Sequence, residues 1–305
     1  MKTFFGNAKS RRIQFGVVII VLVALTAGIA VSTRKRVYEF QCTPEQIAEI
    51  TALSKELDGV IVFQRERKDR PPRICKTEIG ETTATVLTKN GYYPRWSPDG
   101  RRIAFLRDNK VMIMTSSGRW QRRLAEVKDP WALCYHTNGK EILFTDGDSI
   151  KSVTIDTREV RTVVSGQNYR VLDVSEDGTR LATSIKGHKM LLYDFAVSEA
   201  PVIKRGCSIS LSPDANFFVR NRGDHSQVVI WDWRTKELVK TITAPRGTTI
   251  DNGFWSNHQD WLVSRTEARD NENVIVYYIP DGSRTCVTFC GDSNRPDLFV
   301  RLEGN

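Results

Sequence analysis

At 305 residues, 40% hydrophobic and 27% charged, the chain has the composition of a folded globular protein, not of a disordered or collagenous one. Its formal charge of +9 would suit a polyanionic ligand, but seven of its 45 basic residues and no acidic residue fall within residues 1–36. The remainder carries 38 basic against 36 acidic residues, so the body lacks the electrostatic footprint of a nucleic-acid binder and no nucleic-acid partner is expected.

Inside the basic segment, residues 13–33 run for 21 positions without a charge, centred on FGVVIIVLVALTAGIAV. Some 20 helical residues at about 1.5 Å each cross a hydrocarbon core roughly 30 Å thick, so a single transmembrane helix is predicted there. Lys2, Lys9, Arg11 and Arg12 before it favour a cytoplasmic N-terminus, while Arg34, Lys35 and Arg36 after it act against that asymmetry. The expectation is a basic tail and membrane anchor over 1–36, with the rest extracytoplasmic. The alternative is a cleaved secretory signal cut near Ala30, where Gly28 and Ala30 are small, leaving a secreted protein.

Residues 37–56 read as a linker with one short helix. Thr43-Pro44-Glu45-Gln46 combines an N-cap, proline at the first helical position and a capping-box glutamine. Ile47, Ile50, Leu53 and Leu57 then supply an apolar stripe.

From residue 57 onward one unit repeats. PRWSPDGRRIAF (94–105) recurs as CYHTNGKEILF, DVSEDGTRLAT, SLSPDANFFV and FWSNHQDWLV. Aligned on Trp96, Tyr135, Val174, Leu211 and Trp255, the copies are 39, 39, 37 and 44 residues apart. A shortened copy, ELDGVIVF (56–63), precedes them. Each copy encodes a β-hairpin: Pro98 presets a turn φ, Asp99 can bond its own backbone, and Gly100 accepts the left-handed conformation. Alternating apolar positions such as Ile103/Phe105 and Ile142/Phe144 follow, and then two further strand-like runs. Ala215 stands where the pattern expects glycine, and SNHQD (256–260) has neither proline nor glycine. Four short strands per forty residues, six times over, specify an all-β fold: a six-bladed β-propeller of four-stranded antiparallel blades over 57–305.

YYPRWSPDGRRIAF with VMIMTSSG resembles the WD40-like repeats of the TolB-type six-bladed propellers, and VVIWDWRTKELVKTI, with Trp231-Asp232, is similar to a WD40 blade. The similarity covers about residues 57–305. It implies the fold and a bacterial envelope setting; only some 25 residues separate the anchor from the ring, leaving no room for the N-terminal domain of TolB.

The first copy follows a helix and lacks an inner strand, while PDLFVRLEG (296–304) is a strand without a hairpin. Residues 297–302 are therefore expected to complete blade one and close the ring, which removes an exposed edge. Of six cysteines, Cys42, Cys75, Cys286 and Cys290 lie near this seam and are the candidates for any disulfide. Cys286 and Cys290, four apart on a strand, are about 13 Å apart and cannot bridge each other.

Catalytic and metal signatures are sparse. Four histidines (136, 188, 225, 258) include no metal-binding pair, and no nucleophile elbow, P-loop or dinucleotide fingerprint occurs. No catalytic residue, metal or cofactor is expected. Tyr93, Trp131, Arg170, Cys207 and Asn252 occupy comparable positions at the starts of inner strands, where packing between blades or the rim of a binding funnel would use them. The function expected is a non-enzymatic scaffold with a protein or peptide partner, held to a membrane by its N-terminal helix. The alternatives are a lyase or glycan hydrolase working in the central channel and a small-ligand sensor.

Overall fold

The turn motif fixes the geometry of each repeat. Ser97 Oγ donates to Asp99 Oδ1 (2.6 Å) and accepts the Arg102 amide (2.9 Å), while Asp99 Oδ1 takes the Arg101 amide (3.1 Å). Ser175 with Asp177 and Ser212 with Asp214 repeat all three bonds. These side chains satisfy backbone donors that the tight turn would otherwise strand. Gly100 has φ +66°, and a Cβ there would lie 2.5 Å from the Phe299 ring, so the turn packs directly on the C-terminal strand. Ala215 takes the same left-handed conformation with φ 54°, which costs a non-glycine residue about 1–2 kcal/mol. The SNHQD turn forms without either turn residue because Ser256 Oγ accepts the His258 amide and donates to its carbonyl.

The computed structural model describes residues 36–302, except 176, 198–201, 207, 269 and 270 and the side chains of 202–204. The predicted span at 13–33 lies outside these residues; among the described residues no helix is long and apolar enough to cross a membrane. From Val37 onward the chain forms six antiparallel sheets. Blades two to six each have four strands, running from inside to outside in chain order. Their inner strands are Tyr92–Trp96, Leu133–Tyr135, Tyr169–Val174, Ile209–Leu211 and Thr249–Trp255. Each sheet is sandwiched between two neighbours, so both faces are buried. In blade two Ala104 and Leu106 are as fully buried as Ile103 and Phe105, and the period-two pattern merges into a continuous apolar run.

Blade one is assembled from both ends of the ring. Its order from outside to inside is Val37–Glu39, Thr83–Lys89, Arg70–Glu78, Gly59–Arg67 and Ser293–Val300. The closing strand pairs Val300 with Gly59 and Ser293 with Arg65, so it begins and ends earlier than the sequence pattern of 297–302 suggests. The outermost strand, Val37–Glu39, was not expected within the linker; it pairs with Thr83–Thr85. The helix is Pro44–Leu53, with both capping-box bonds between Thr43 and Gln46 formed. Ile50, Leu53 and Leu57 are buried, but Ile47 is 43% exposed and falls outside the apolar stripe.

A buried ion pair locks the seam. Arg65 donates through Nε and Nη2 to the two oxygens of Asp292, at 2.7 and 2.8 Å, with both side chains largely shielded from solvent. Breaking a buried pair leaves one charge unpaired, so Arg65→Ala is expected to lower unfolding stability by roughly 3–5 kcal/mol in urea titrations. The double variant Arg65→Met/Asp292→Leu is expected to recover most of that loss; equal losses in single and double variants would contradict the pairing.

Candidate binding cavity in the central channel

The inner strands are bulged where they enter the channel. Register slips between Tyr92 and Arg95, between Tyr169 and Val171, between Asp251 and Phe254, and between Asn294 and Asp297 on the closing strand. The slipped residues include Tyr93, Arg170, Asn252 and Arg295; Tyr93, Asn252 and Arg295 have φ of 54°, 52° and 49°. Such bulges re-aim side chains at the rims of closed sheets. Three sequence-selected residues thus stand on bulges, and Trp131 precedes the inner strand of blade three. Cys207 lies outside the described residues.

These residues gather at one mouth. The Arg170 guanidinium carbon lies 3.5 Å from the centre of the Trp131 ring, which is 38% exposed. Arg295 stacks at 3.7 Å on Tyr93, and the Asn252 amide donates to Asn294 Oδ1 at 2.9 Å. Tyr93 and Asn252 are buried, so this mouth is substantially filled by packing between blades. Asn294 and Arg295 complete it and were not selected from the sequence. Cys42, Cys75, Cys286 and Cys290 are free thiols at the packed seam between blades six and one.

The open space lies at the other mouth, beside the hairpin turns. A cavity of about 280 Å³ takes lining from all six blades, and its aromatic wall is Trp96, Tyr135, Trp255 and Phe299. Its floor is one ring of equivalent inner-strand positions: Arg95, Cys134, Asp173, Ser210, Phe254 and Asp297. The first five stand one residue before the apolar position on which the repeats align. The volume is just below the lower limit for ordinary small-molecule pockets.

The floor carries one cation and two carboxyl groups. Arg95, 7% exposed, stacks at 3.7 Å on Phe254 and donates to the carbonyls of Pro94 and Pro296 at 3.0 and 3.3 Å. Burial pulls its pKa below the ordinary arginine value, and the nearby Asp297 and Asp173 oppose that shift. Asp297 Oδ2 accepts the Trp96 amide of blade two at 2.6 Å. Burial pushes its carboxyl up to about 6, with Arg95 acting in the opposite direction. Asp173 accepts the Ser210 hydroxyl and Leu211 amide of blade five at 2.7 and 2.9 Å and its neighbour Val174's amide at 2.9 Å. Its pKa is also raised by burial. Ser210 Oγ in turn accepts the Trp255 amide of blade six at 3.1 Å. Both carboxyl groups therefore tie a blade to its neighbour. Burial drives the Cys134 thiol well above its usual value, which disfavours a thiolate nucleophile. Among the described residues no group of three or more histidine, cysteine or acidic side chains could hold a metal ion.

No protein-family model and no curated protein matches the sequence. Solved structures match in fold. TolB from Acinetobacter baumannii superposes with a TM-score of 0.64 at 17% identity, covering 79% of this chain and 66% of TolB. Hydrazine synthase of Kuenenia stuttgartiensis gives 0.50 at 15% identity over 65% of this chain and 66% of that one. A chain of a nidogen/laminin complex gives 0.52 at 12% identity, over 60% and 76%. The chain thus spans just under two-thirds of the TolB chain it matches. In fold it is a TolB-like six-bladed β-propeller.

The raised Asp297 pKa has a defined sign. A carboxyl whose folded pKa of about 6 exceeds its ordinary 3.8 binds a proton more tightly when folded. That contribution is full below pH 4 and is lost as pH rises through 6, worth about 3 kcal/mol at most. Asp297→Asn keeps an acceptor for the Trp96 amide and removes the titration. Denaturant titrations should find it near wild type at about pH 3.5 and about 1–3 kcal/mol more stable at pH 8; loss of stability at both pH values would contradict the assignment.

Proposed function

We propose that the protein is a non-enzymatic interaction module that binds an extended segment of a protein partner in the hairpin-face cavity. Residues 13–33 anchor it in a membrane, with the propeller extracytoplasmic, and its resemblance to TolB suits a bacterial envelope. The observation that carries this reading is the cavity itself: all six blades contribute to it, its wall is aromatic, and it has room for one or two side chains. Aromatic walls bind apolar side chains at low entropic cost. The floor, with two carboxyl groups against one arginine, favours a segment bearing a basic or neutral residue over an acidic one.

The enzyme reading has one specific observation in its favour: Asp173 and Asp297 share the channel and both have raised pKa values. Paired carboxyl groups of that kind serve acid–base chemistry elsewhere. Here each accepts a backbone amide of the next blade, an engagement that the ring needs for its own cohesion. The binding reading accounts for both groups without a substrate.

A photo-activated benzophenone side chain placed at Thr137 or Pro213, on the cavity rim, tests the function in cells of the source organism. Both sites are expected to yield the same discrete cross-linked product, with none from Trp131 at the opposite mouth. Cross-linking only from Trp131 would overturn the assignment of the binding face.

A further inference from the structure

The end of blade one where the chain enters it is rich in basic residues, with Arg65, Arg67, Lys68, Arg70 and Arg73 on its first two strands and the hairpin between them. The strand Val37–Glu39 runs antiparallel to Thr83–Lys89, with Val37 opposite Thr85 and Glu39 opposite Thr83. Traced backward from Val37, the chain heads toward the end of blade one that carries Lys89 and the tight Lys68-Asp69 hairpin. Two arginines of that end grip the entering strand. Arg65 lies 4.2 Å from the centre of the Tyr38 ring, and Arg73 Nη1 donates to the Tyr38 hydroxyl.

Three cross-strand pairs at this end set like charges opposite each other: Arg67 with Arg70, Arg65 with Arg73, and Arg73 with Lys89. Like charges in register destabilise a sheet. The compensation is partial. Asp292 neutralises Arg65, and the exposed Asp69 serves both Arg67 (3.4 Å) and Arg70 (2.6 Å). Among the described residues, no carboxylate forms an ion pair within 4.0 Å of Lys68, Arg73 or Lys89. Across residues 65–73 the acidic residues are Glu66 and Asp69, against Arg65, Arg67, Lys68, Arg70 and Arg73.

We propose that this end of blade one is a docking surface for anionic phospholipid headgroups. The proposal rests on the anchor reading of residues 13–33. Only Arg34, Lys35 and Arg36 separate that stretch from Val37, a reach of no more than about 14 Å. So short a connection keeps Val37, and the arginines that grip its strand, within reach of the lipid interface of an anchored chain, where guanidinium groups pair with phosphate through two hydrogen bonds. Headgroup phosphates then supply the counter-charge that the sheet lacks. The docking also orients the ring. The hairpin lies at the start of the closing strand, since Arg65 pairs with Ser293 while Gly59 pairs with Val300. The cavity, at the opposite end of the inner strands, therefore opens away from the bilayer.

The test uses the full chain in nanodiscs of phosphatidylcholine, alone or with about 30 mol% phosphatidylglycerol. One cysteine is added, as Lys68→Cys in the hairpin or Lys140→Cys in an exposed turn at the far end, and maleimide labelling is followed site by site by mass spectrometry. Lys68→Cys is expected to label on the order of tenfold more slowly in anionic discs, and the difference should vanish in about 1 M salt or with Arg67→Glu/Arg70→Glu. Lys140→Cys is expected to label at one rate in both lipids. Equal labelling of Lys68→Cys by a chain that has entered the discs overturns the docking alone. A chain that elutes free of lipid overturns the anchor and the docking together.

Discussion

Everything in this propeller depends on the closing of its ring by a strand from the far end of the chain. Gly59–Arg67 would otherwise present an unpaired inner edge, and Ser293–Val300 covers it with a ladder broken by one bulge. The strand does more than pair. Phe299 packs under Gly100, Asp297 takes the Trp96 amide, and Asn257 both donates to the Val300 carbonyl and accepts its amide. One segment thus joins blades six, one and two, and the Arg65–Asp292 pair fastens its leading end. An interlock of that kind makes stability a property of the ring and not of separate blades.

The same cross-blade bonding explains the chemistry of the channel. Inner strands converge too closely for six large side chains at one level, so the ring mixes large and small residues and uses carboxyl groups as acceptors for neighbouring amides. Desolvation raises the pKa of both carboxyls, with Arg95 moderating the cost. Perturbed pKa values often mark catalytic sites, but structural networks produce them as well. In this ring the geometry assigns them to cohesion, and the space left above them, at the hairpin face, is what remains for a partner.

The fold was legible because turn chemistry is local. A serine, an aspartate two residues later and a glycine define the hairpin wherever they occur, and the spacing of those hairpins counts the blades. The site was less legible. The floor of the cavity reads Arg, Cys, Asp, Ser, Phe and Asp at equivalent positions, a column with no common chemistry, although its first five members stand immediately before the residues used to align the repeats. Bulges at Tyr93, Arg170 and Asn252 obscured which inner residues face the open space, because each bulge shifts the alternation that sequence reading assumes. Val37–Glu39, three residues long, is too short to show a period, and it becomes a strand only because blade one offers it an edge.

Native-state hydrogen exchange of the amides in Ser293–Val300 tests ring closure most directly. If the strand closes the ring, its core amides open only with the inner strands of blades one and two, at the free energy of global unfolding. Exchange of Ser293–Val300 well ahead of Tyr92–Trp96, with blade two still protected, would contradict it.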